Sequence, residues 1–394
     1  MIRSLFSHSS GLSTDTHGNL EVTLLRDTEN GGSPSQPAAI SKLLTDFVNA
    51  AHSSLHIAIY DFRLSDGLGK RFIDTLISKA KAGVDVKIAY DHTKPNTKSG
   101  KAFAPIGGDA APKGTHKFIS GRFAGTRVQT KAVLTIDEAF ADTPVDDEPI
   151  TGSHLMHNKY IVRDVGTTAA AVLTGSTNFT DDAWTYQENN IVKVDSSALA
   201  NYYETDFHEL WVKGDIASTG VNDAGSVQLE SVEVEVAFAP GEGPTIDGHL
   251  ASLVSSAKSR IRVCSMILSS QKILGALSDA IHNKQVKEFS GIYDATQMNN
   301  VLRMWKKSGN PAATTFRDVA SHLVFKKSVP FSPTGKHNFL HDKILVCDDV
   351  VATGSFNLSS NATKNAENSV IISDKALANK YVSYIDALVK QYKK

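Results

Sequence analysis

HNKYIVRD, residues 157–164, and HDKILVCD, residues 341–348, are the stretches on which the reading of this chain turns. Each places a lysine two positions after a histidine and an aspartate five positions after the lysine. Beyond them come Gly175-Ser176-Thr177-Asn178 and Gly354-Ser355-Phe356-Asn357. A Glu-Asn pair then begins ten residues after the last asparagine in both copies, at Glu188 and Glu367. A chain carrying two His/Lys/Ser/Asn/Glu sets is expected to use them together, on one phosphate.

The spacing has a physical meaning. The residues after each lysine are β-branched and apolar, so both stretches read as strands. On a strand, positions i and i+2 share a face, which aims His157 with Lys159, and His341 with Lys343, at one spot. Asp164 and Asp348 fall at an odd offset from their lysines, on the other face or past the strand end, and read as structural. Ser176 with Asn178, and Ser355 with Asn357, again share a face behind a glycine that admits close backbone approach. Their hydroxyls and amides can donate to phosphate oxygens while the lysines supply positive charge.

The repeated His-x-Lys-x4-Asp with Gly-Ser-x-Asn resembles the phospholipase D superfamily of phosphodiesterases. HDKILVCDDVVATGSFNLSSNATKNAEN, residues 341–368, looks most like its small bacterial endonuclease branch. The resemblance implies a fold of two pseudo-symmetric α/β halves, each a mixed sheet flanked by helices, with the active site at their interface. It implies metal-independent chemistry through a phosphohistidine and no cofactor: one histidine attacks phosphorus and the other protonates the leaving oxygen, then activates water. A carboxylate behind a histidine would fix its tautomer, and the resemblance gives that role to Glu188 and Glu367. By the same analogy His157 is the nucleophile and His341 the acid, although the symmetry of the motifs leaves the assignment open. The expected catalytic set is His157, Lys159, Asn178, Glu188, His341, Lys343, Asn357 and Glu367. Ser176 and Ser355 are expected at the substrate. His337 and His341 form an HxxxH spacing, but no cysteine or third ligand flanks it, so no metal is expected.

The alternation of helical and strand-like segments is read independently of the motifs. Residues 38–62 run helix then strand, and 71–91 helix, turn at Gly83, strand; 249–268 and 273–294 repeat the sequence of elements. This argues for mixed sheets with helices on both faces. Gly, Asp, Ser and Asn cluster around 214–226, dividing the chain into 1–213 and 227–394. LESVEVEVAFAP, residues 229–240, opens the second half with an edge-strand pattern. With both motifs in one chain, an oligomer is not required for the site.

Net charge is -1 over 394 residues, which gives no global attraction to nucleic acid or anionic membrane. No signal-peptide or membrane-spanning run is present. Cys264 and Cys347 lie in apolar runs and read as buried free thiols, so a cytoplasmic protein is expected, with secretion after processing as the alternative. The segment 92–131 reads as a long loop holding eight Lys/Arg, among them Lys113, Lys117 and Arg122, against one acid, Asp109. Read as a basic cleft wall, it favours a nuclease, with nucleic acid over phospholipid as substrate; read blandly, it is a solvated loop whose charges pair with the acids of 137–148. The alternatives are a phospholipase D or transphosphatidylase, and an inactive nucleic-acid-binding scaffold.

Overall fold

The computed structural model describes residues 13–17, 19–92, 111–134, 154–221, 223–330 and 335–393. The first half contributes strands β1 (Ser13–His17), β2 (Leu20–Leu25), β3 (Ser54–Ile59), β4 (Phe62–Arg63) and β5 (Asp85–His92). It continues with β6 (Gln129–Leu134), β7 (Lys159–Arg163), β8 (Ala171–Gly175), β9 (Phe179–Thr180) and β10 (Asn189–Val194). Its helices are α1 (Gln36–Asn49), α2 (Asp66–Lys81), α3 (Ala111–Phe123), α4 (Asp181–Thr185) and α5 (Ser197–Lys213). The second half supplies β11 (Gly225–Leu229), β12 (Val232–Ala239), β13 (Arg260–Ser265) and β14 (Glu288–Asp294). After these come β15 (Val324–Lys326), β16 (Lys343–Cys347), β17 (Val350–Gly354) and β18 (Glu367–Ser373). Helices α6 (Gly243–Ser256), α7 (Gln271–His282), α8 (Ala295–Ser308), α9 (Ala312–Ala320) and α10 (Lys375–Tyr392) complete it.

Two eight-stranded sheets result, ordered β1-β2-β10-β8-β7-β3-β5-β6 and β11-β12-β18-β17-β16-β13-β14-β15. They match element for element, down to the pairs that run parallel, β3 with β5 and β5 with β6, and β13 with β14 and β14 with β15. The motif strands β7 and β16 sit near the middle of their sheets and are buried on both faces, which is why an apolar β-branched run follows each lysine.

Three apolar clusters make layers. One lies between α1, α2 and the first sheet, with Ile40, Leu44, Phe72 and Ile57. Another lies between α6, α7 and the second sheet, with Leu250, Leu277 and Val263. The third, between the sheets, draws on both halves: Tyr203 and Phe207 of α5, Tyr381 and Ile385 of α10, with Tyr160 and Phe238. The rings of Tyr203 and Phe238, one from each half, meet edge to face at 5.0 Å. Burial of this shared cluster holds the motif strands against one another.

Two expectations are corrected. Within 92–131, residues 111–123 form α3 and Gln129 onward forms the edge strand β6, while 93–110 lie outside the described residues. The Val/Glu alternation of 232–236 belongs to an interior strand: β12 is paired on both sides, and the edge is β11. Cys264 and Cys347 are buried free thiols. Among the described residues no helix is long and apolar enough to cross a membrane.

Candidate active site

Each motif aspartate sits at the end of its strand remote from the histidine. Asp164 and Asp348 adopt left-handed backbone, φ 54° and 53°, which aspartate tolerates. Asp164 accepts from the backbone N–H groups of His52, Ser53 and Ser54, and Asp348 from those of Lys258, Ser259 and Arg260. These carboxylates clamp the start of β3 and β13 to the neighbouring motif strand.

At the other end the two halves complete each other. The backbone N–H of His157 donates to the carbonyl of Ala366 at 2.8 Å, and that of His341 to the carbonyl of Glu188 at 3.0 Å. Asn368 Nδ2 donates to Asn158 Oδ1 at 2.9 Å, and Asn190 Nδ2 donates to Asp342 Oδ1 at 2.8 Å. Thr174 and Thr353 hydroxyls hold the same two amides from the opposite half, at 2.8 and 3.0 Å. Every one of these bonds crosses between halves, and all these polar side chains are buried, so their mutual satisfaction is what makes the interface tolerable.

Gly175 and Gly354 are required where they stand. Both have positive φ, 142° and 124°, and an added Cβ would lie 2.2 Å from the Asn190 carbonyl oxygen or 2.5 Å from that of Asn368. Their approach brings the following residues under the histidines.

The orienting groups differ between halves. His157 Nδ1 lies 2.8 Å from Glu367 Oε2, whereas His341 Nδ1 lies 2.9 Å from Asn189 Oδ1. Glu188, expected to hold a histidine, instead receives Lys326 at 2.6 Å and the Tyr392 hydroxyl at 2.8 Å. Asp27 shares the same lysine at 3.2 Å. The expectation fails by one residue of register. Ile191 pairs with Gly175 as Ser369 pairs with Gly354, so Asn190 corresponds to Asn368, Asn189 to Glu367, and Glu188 to Ala366. The extra residue is absorbed just before β10, where a turn of α-helix, Asp181–Thr185, replaces the tighter 3-10 turn Ser360–Lys364.

Ser176 and Ser355 are also corrected. Both are fully buried; Ser176 Oγ donates to Asn189 Oδ1 at 2.8 Å, and Ser355 Oγ receives the Asn368 backbone N–H at 2.9 Å. Their hydroxyls brace the orienting residues. The amide oxygens of Asn178 and Asn357, by contrast, are buried with no hydrogen-bond partner among the described residues, so these side chains are not tied into the framework through their oxygens. Lys159 and Lys343 are buried and each donates at 2.5 Å to the carbonyl of its own motif histidine, holding the ammonium beside the ring.

Electrostatics follow from burial and from these lysines. Both histidines are held well below their ordinary pKa, first by burial and then by Lys159 and Lys343, each of which acts on both rings. Burial pushes Glu367 up to about 7, against the pull of Lys159. Burial brings Lys343 down to about 8. That each lysine is felt by both imidazoles places the two sets in one electrostatic site.

Residues 44–211 and 250–389 match the family described as "Cardiolipin synthase, PLD-like domain". The chain belongs to this phospholipase-D-like family. Cardiolipin synthase 1 of Staphylococcus epidermidis is 41% identical over 71 residues, 17% of this chain and 14% of that relative, so the match takes in a small part of either protein. Phosphatidylserine synthase of Haemophilus influenzae superposes with a TM-score of 0.55 at 13% identity, covering 90% of this chain and 85% of that one. Nuc of Salmonella typhimurium, a phospholipase D family member, is 24% identical with a TM-score of 0.32, covering 41% of this chain and 96% of its own. The phospholipase-D-like fold of two pseudo-symmetric halves is thus shared with a phospholipid synthase at low identity.

Within this phospholipase-D-like site, sequence reasoning missed Asn189 and Tyr60. The Tyr60 ring stands edge-on to His157 at 4.8 Å with the Lys159 ammonium 5.2 Å from its centroid. Tyr60 was within reach of sequence reading as the residue ending an apolar strand, and Asn189 as the alternative partner of Glu367 had a one-residue insertion been allowed. The three cations assigned to substrate all lie on α3. Arg122 on α3 pairs with Asp66 and covers the Phe118 ring, Lys117 is exposed, and the Lys113 side chain lies outside the described residues. His337 bonds Asp182 through its backbone N–H and stacks on Phe339 at 5.4 Å, a setting distinct from that of His341.

Proposed function

We propose that this phospholipase-D-like protein breaks a phosphodiester bond through a covalent phosphohistidine, without a metal ion, and that its substrate is a phospholipid. The observation that carries the chemistry is the reciprocal pair of orienting bonds, Glu367 to His157 and Asn189 to His341, which engages each Nδ1 and leaves Nε2 for the reaction. His157 Nε2 attacks phosphorus; the P–N bond forms as the bond to the leaving oxygen breaks, and that oxygen takes the proton of His341. Water or an alcohol then gives its proton to neutral His341 while its oxygen displaces His157 from phosphorus. Glu367 carries negative charge that supports the phosphoimidazolium on His157. The uncharged Asn189 amide gives imidazolium at His341 no such support, which suits a group that must release a proton. Burial and the two lysines hold His341 well below its ordinary pKa; the negative charge of a bound phosphate would offset the lysines and admit the proton. Asn178, Asn357 and the two lysines supply donors and charge to the phosphate oxygens, the work a divalent ion performs elsewhere.

Phospholipid is favoured over nucleic acid by the family's description and by the synthase relative. The basic segment that supported nucleic acid contributes an ion-paired Arg122 to α3. The test is purified protein in EDTA offered a soluble short-chain phosphatidylglycerol and single-stranded DNA and RNA in parallel. Expected is turnover of the lipid with a quenchable adduct on the peptide containing His157. Loss of activity in EDTA restored by zinc or magnesium would overturn the metal-free chemistry, and cleavage of nucleic acid alone would overturn the substrate class.

A further inference from the structure

Three lysines are buried among the described residues. Lys159 and Lys343 belong to the motifs; the third, Lys326 on β15, is 2% exposed and stands outside them. Its ammonium donates to Glu188 Oε2 at 2.6 Å and to Asp27 Oδ2 at 3.2 Å. Both carboxylates are fully buried, and both belong to the other half of the chain. The Tyr392 hydroxyl, in the last turn of α10, donates to the second oxygen of Glu188 at 2.8 Å. A lysine is costly to place in a dry interior, so the position asks for a reason.

The network adjoins the segment that carries His341. Glu188 offers its backbone carbonyl to the His341 N–H at 3.0 Å, and Asp294 Oδ2 accepts the preceding N–H, that of Leu340, at 3.0 Å. Lys326 acts on both anchors: it bonds the Glu188 carboxylate and is the register partner of Asp294. Burial raises the Asp294 carboxyl above its ordinary pKa, and the Lys326 charge is among the groups that oppose the rise. The first half builds the same frame without the lysine. Met156 N–H donates to Asp91 Oδ1 at 2.7 Å, and His157 N–H to the Ala366 carbonyl at 2.8 Å. Asp91 pairs with Val133 as Asp294 pairs with Lys326, and Met156 bridges Ala366 as Leu340 bridges Glu188. Val133 and Ala366 therefore occupy the places of Lys326 and Glu188, so the fold itself does not demand an ion pair there. A buried ion pair seldom out-stabilises apolar groups of the same volume, and its best-attested use is to specify a geometry.

We propose that Lys326 is a positioning residue for His341: by binding Glu188 and Asp27 across the two halves, it fixes the segment that carries the proton donor. The inference rests on the acid role proposed for His341. It also accounts for the placement of the lysine on this side alone. His157 is gripped at Nδ1 by the Glu367 carboxylate, whereas His341 has only the neutral Asn189 amide, the weaker kind of bond. The backbone must then supply the precision that the side chain lacks. A proton donor works only within hydrogen-bond reach of the leaving oxygen, and a misplacement of about 1 Å costs on the order of a hundredfold.

The test compares two soluble short-chain esters that differ only in leaving group. Phosphatidylglycerol releases an alkoxide that must be protonated; phosphatidyl-p-nitrophenol releases a group that needs little protonation. Lys326→Met alone strands two buried carboxylates and should lower the thermal melt. The decisive variant is therefore Lys326→Met/Glu188→Gln/Asp27→Asn, which removes the charges and keeps the shapes. In it, phosphatidylglycerol turnover should fall on the order of tenfold to a hundredfold, in kcat rather than KM. The p-nitrophenol burst that reports adduct formation should keep its wild-type rate. Tyr392→Phe, which removes a single bond to Glu188, should show a smaller loss of the same selective kind. In protein labelled at histidine, the imidazole signals of His341 should move in these variants while those of His157 stay. An equal fall with both esters in folded protein makes the network merely structural and overturns the proposal, as does wild-type turnover of phosphatidylglycerol. If the wild-type protein turns over neither ester, the phospholipid reading fails and the histidine spectra decide alone. Unmoved His341 signals then overturn the positioning role, and displaced ones sustain it.

Discussion

The two halves share one architecture but differ in the groups around their histidines. In the first, His157 has an aromatic neighbour in Tyr60 and a carboxylate, Glu367, on Nδ1. In the second, the residue in the place of Tyr60 is Met266, and Nδ1 of His341 meets the Asn189 amide. The buried acids are also exchanged. Asp206 on α5 accepts from Asn158 and Tyr160, whereas Asp342 in the motif itself accepts from Tyr384 on α10. The two halves keep the same backbone bonds and differ in charge, and on that difference rests the proposed division of labour between His157 and His341.

The largest effect should come from the histidines themselves. His157→Ala and His341→Ala should each lower turnover of an alkyl diester by several orders of magnitude. A p-nitrophenyl diester sharpens the comparison, since its leaving group needs little protonation. His341→Ala should form the covalent adduct rapidly with that substrate, and His157→Ala should not. Equal rescue of both variants would erase the assigned difference between the halves.

Next come the orienting groups. Glu367→Gln keeps the shape but removes the charge behind His157, and turnover should fall on the order of a hundredfold or more, by comparison with other carboxylate-oriented histidines. Asn189→Asp places a carboxylate behind His341 and should raise the pH at which that histidine loses its proton, with a smaller change in rate. The pH profile measured with each variant separates the two.

The wild-type profile carries the same signature. Glu367, raised by burial to about 7, supports the nucleophile once ionised, so activity should rise through neutrality. Lys343, lowered by burial to about 8, loses its charge above that value, so activity should fall again. Abolition of the acid limb is expected in Glu367→Gln and not in Glu188→Gln, whose carboxylate faces Lys326.

The smallest expected effect is at the clamps. Asp348→Asn should cost on the order of 2 kcal/mol of stability, the scale of hydrogen bonds to a charged acceptor, with little change in the rate of folded protein. Its carboxylate is held at about 2 by donors from Ser259, Lys258 and Arg260, below its ordinary 3.8. The stabilisation is therefore complete above the ordinary value and lost as pH falls toward 2. Melts of wild type and variant should converge in that window.

The sequence made the histidines and lysines legible because i and i+2 on a buried strand admit only one arrangement. It also exposed the pairing of sheets, since each half repeats its helix-strand steps in order. Glu188 misled because a fixed count of ten residues cannot see that one copy turns through an α-helical turn and the other through a 3-10 turn. Ser176 and Ser355 misled because residue type announces a donor but not its acceptor. Arg122 shows a related limit: its charge was counted before its partner, Asp66, was known.

The amide hydrogen bonds that cross between halves have a consequence for how the protein matures. Asn368 with Asn158, and Asn190 with Asp342, form only when both sheets have come together. Before that moment each half carries a histidine, a lysine and an asparagine, yet lacks the orienting group that its partner supplies. A refolding time course should thus show helical signal well ahead of enzymatic competence. The interval between them times the meeting of the halves, and a chain nicked between α5 and β11 should regain turnover only at concentrations that let its two fragments find each other.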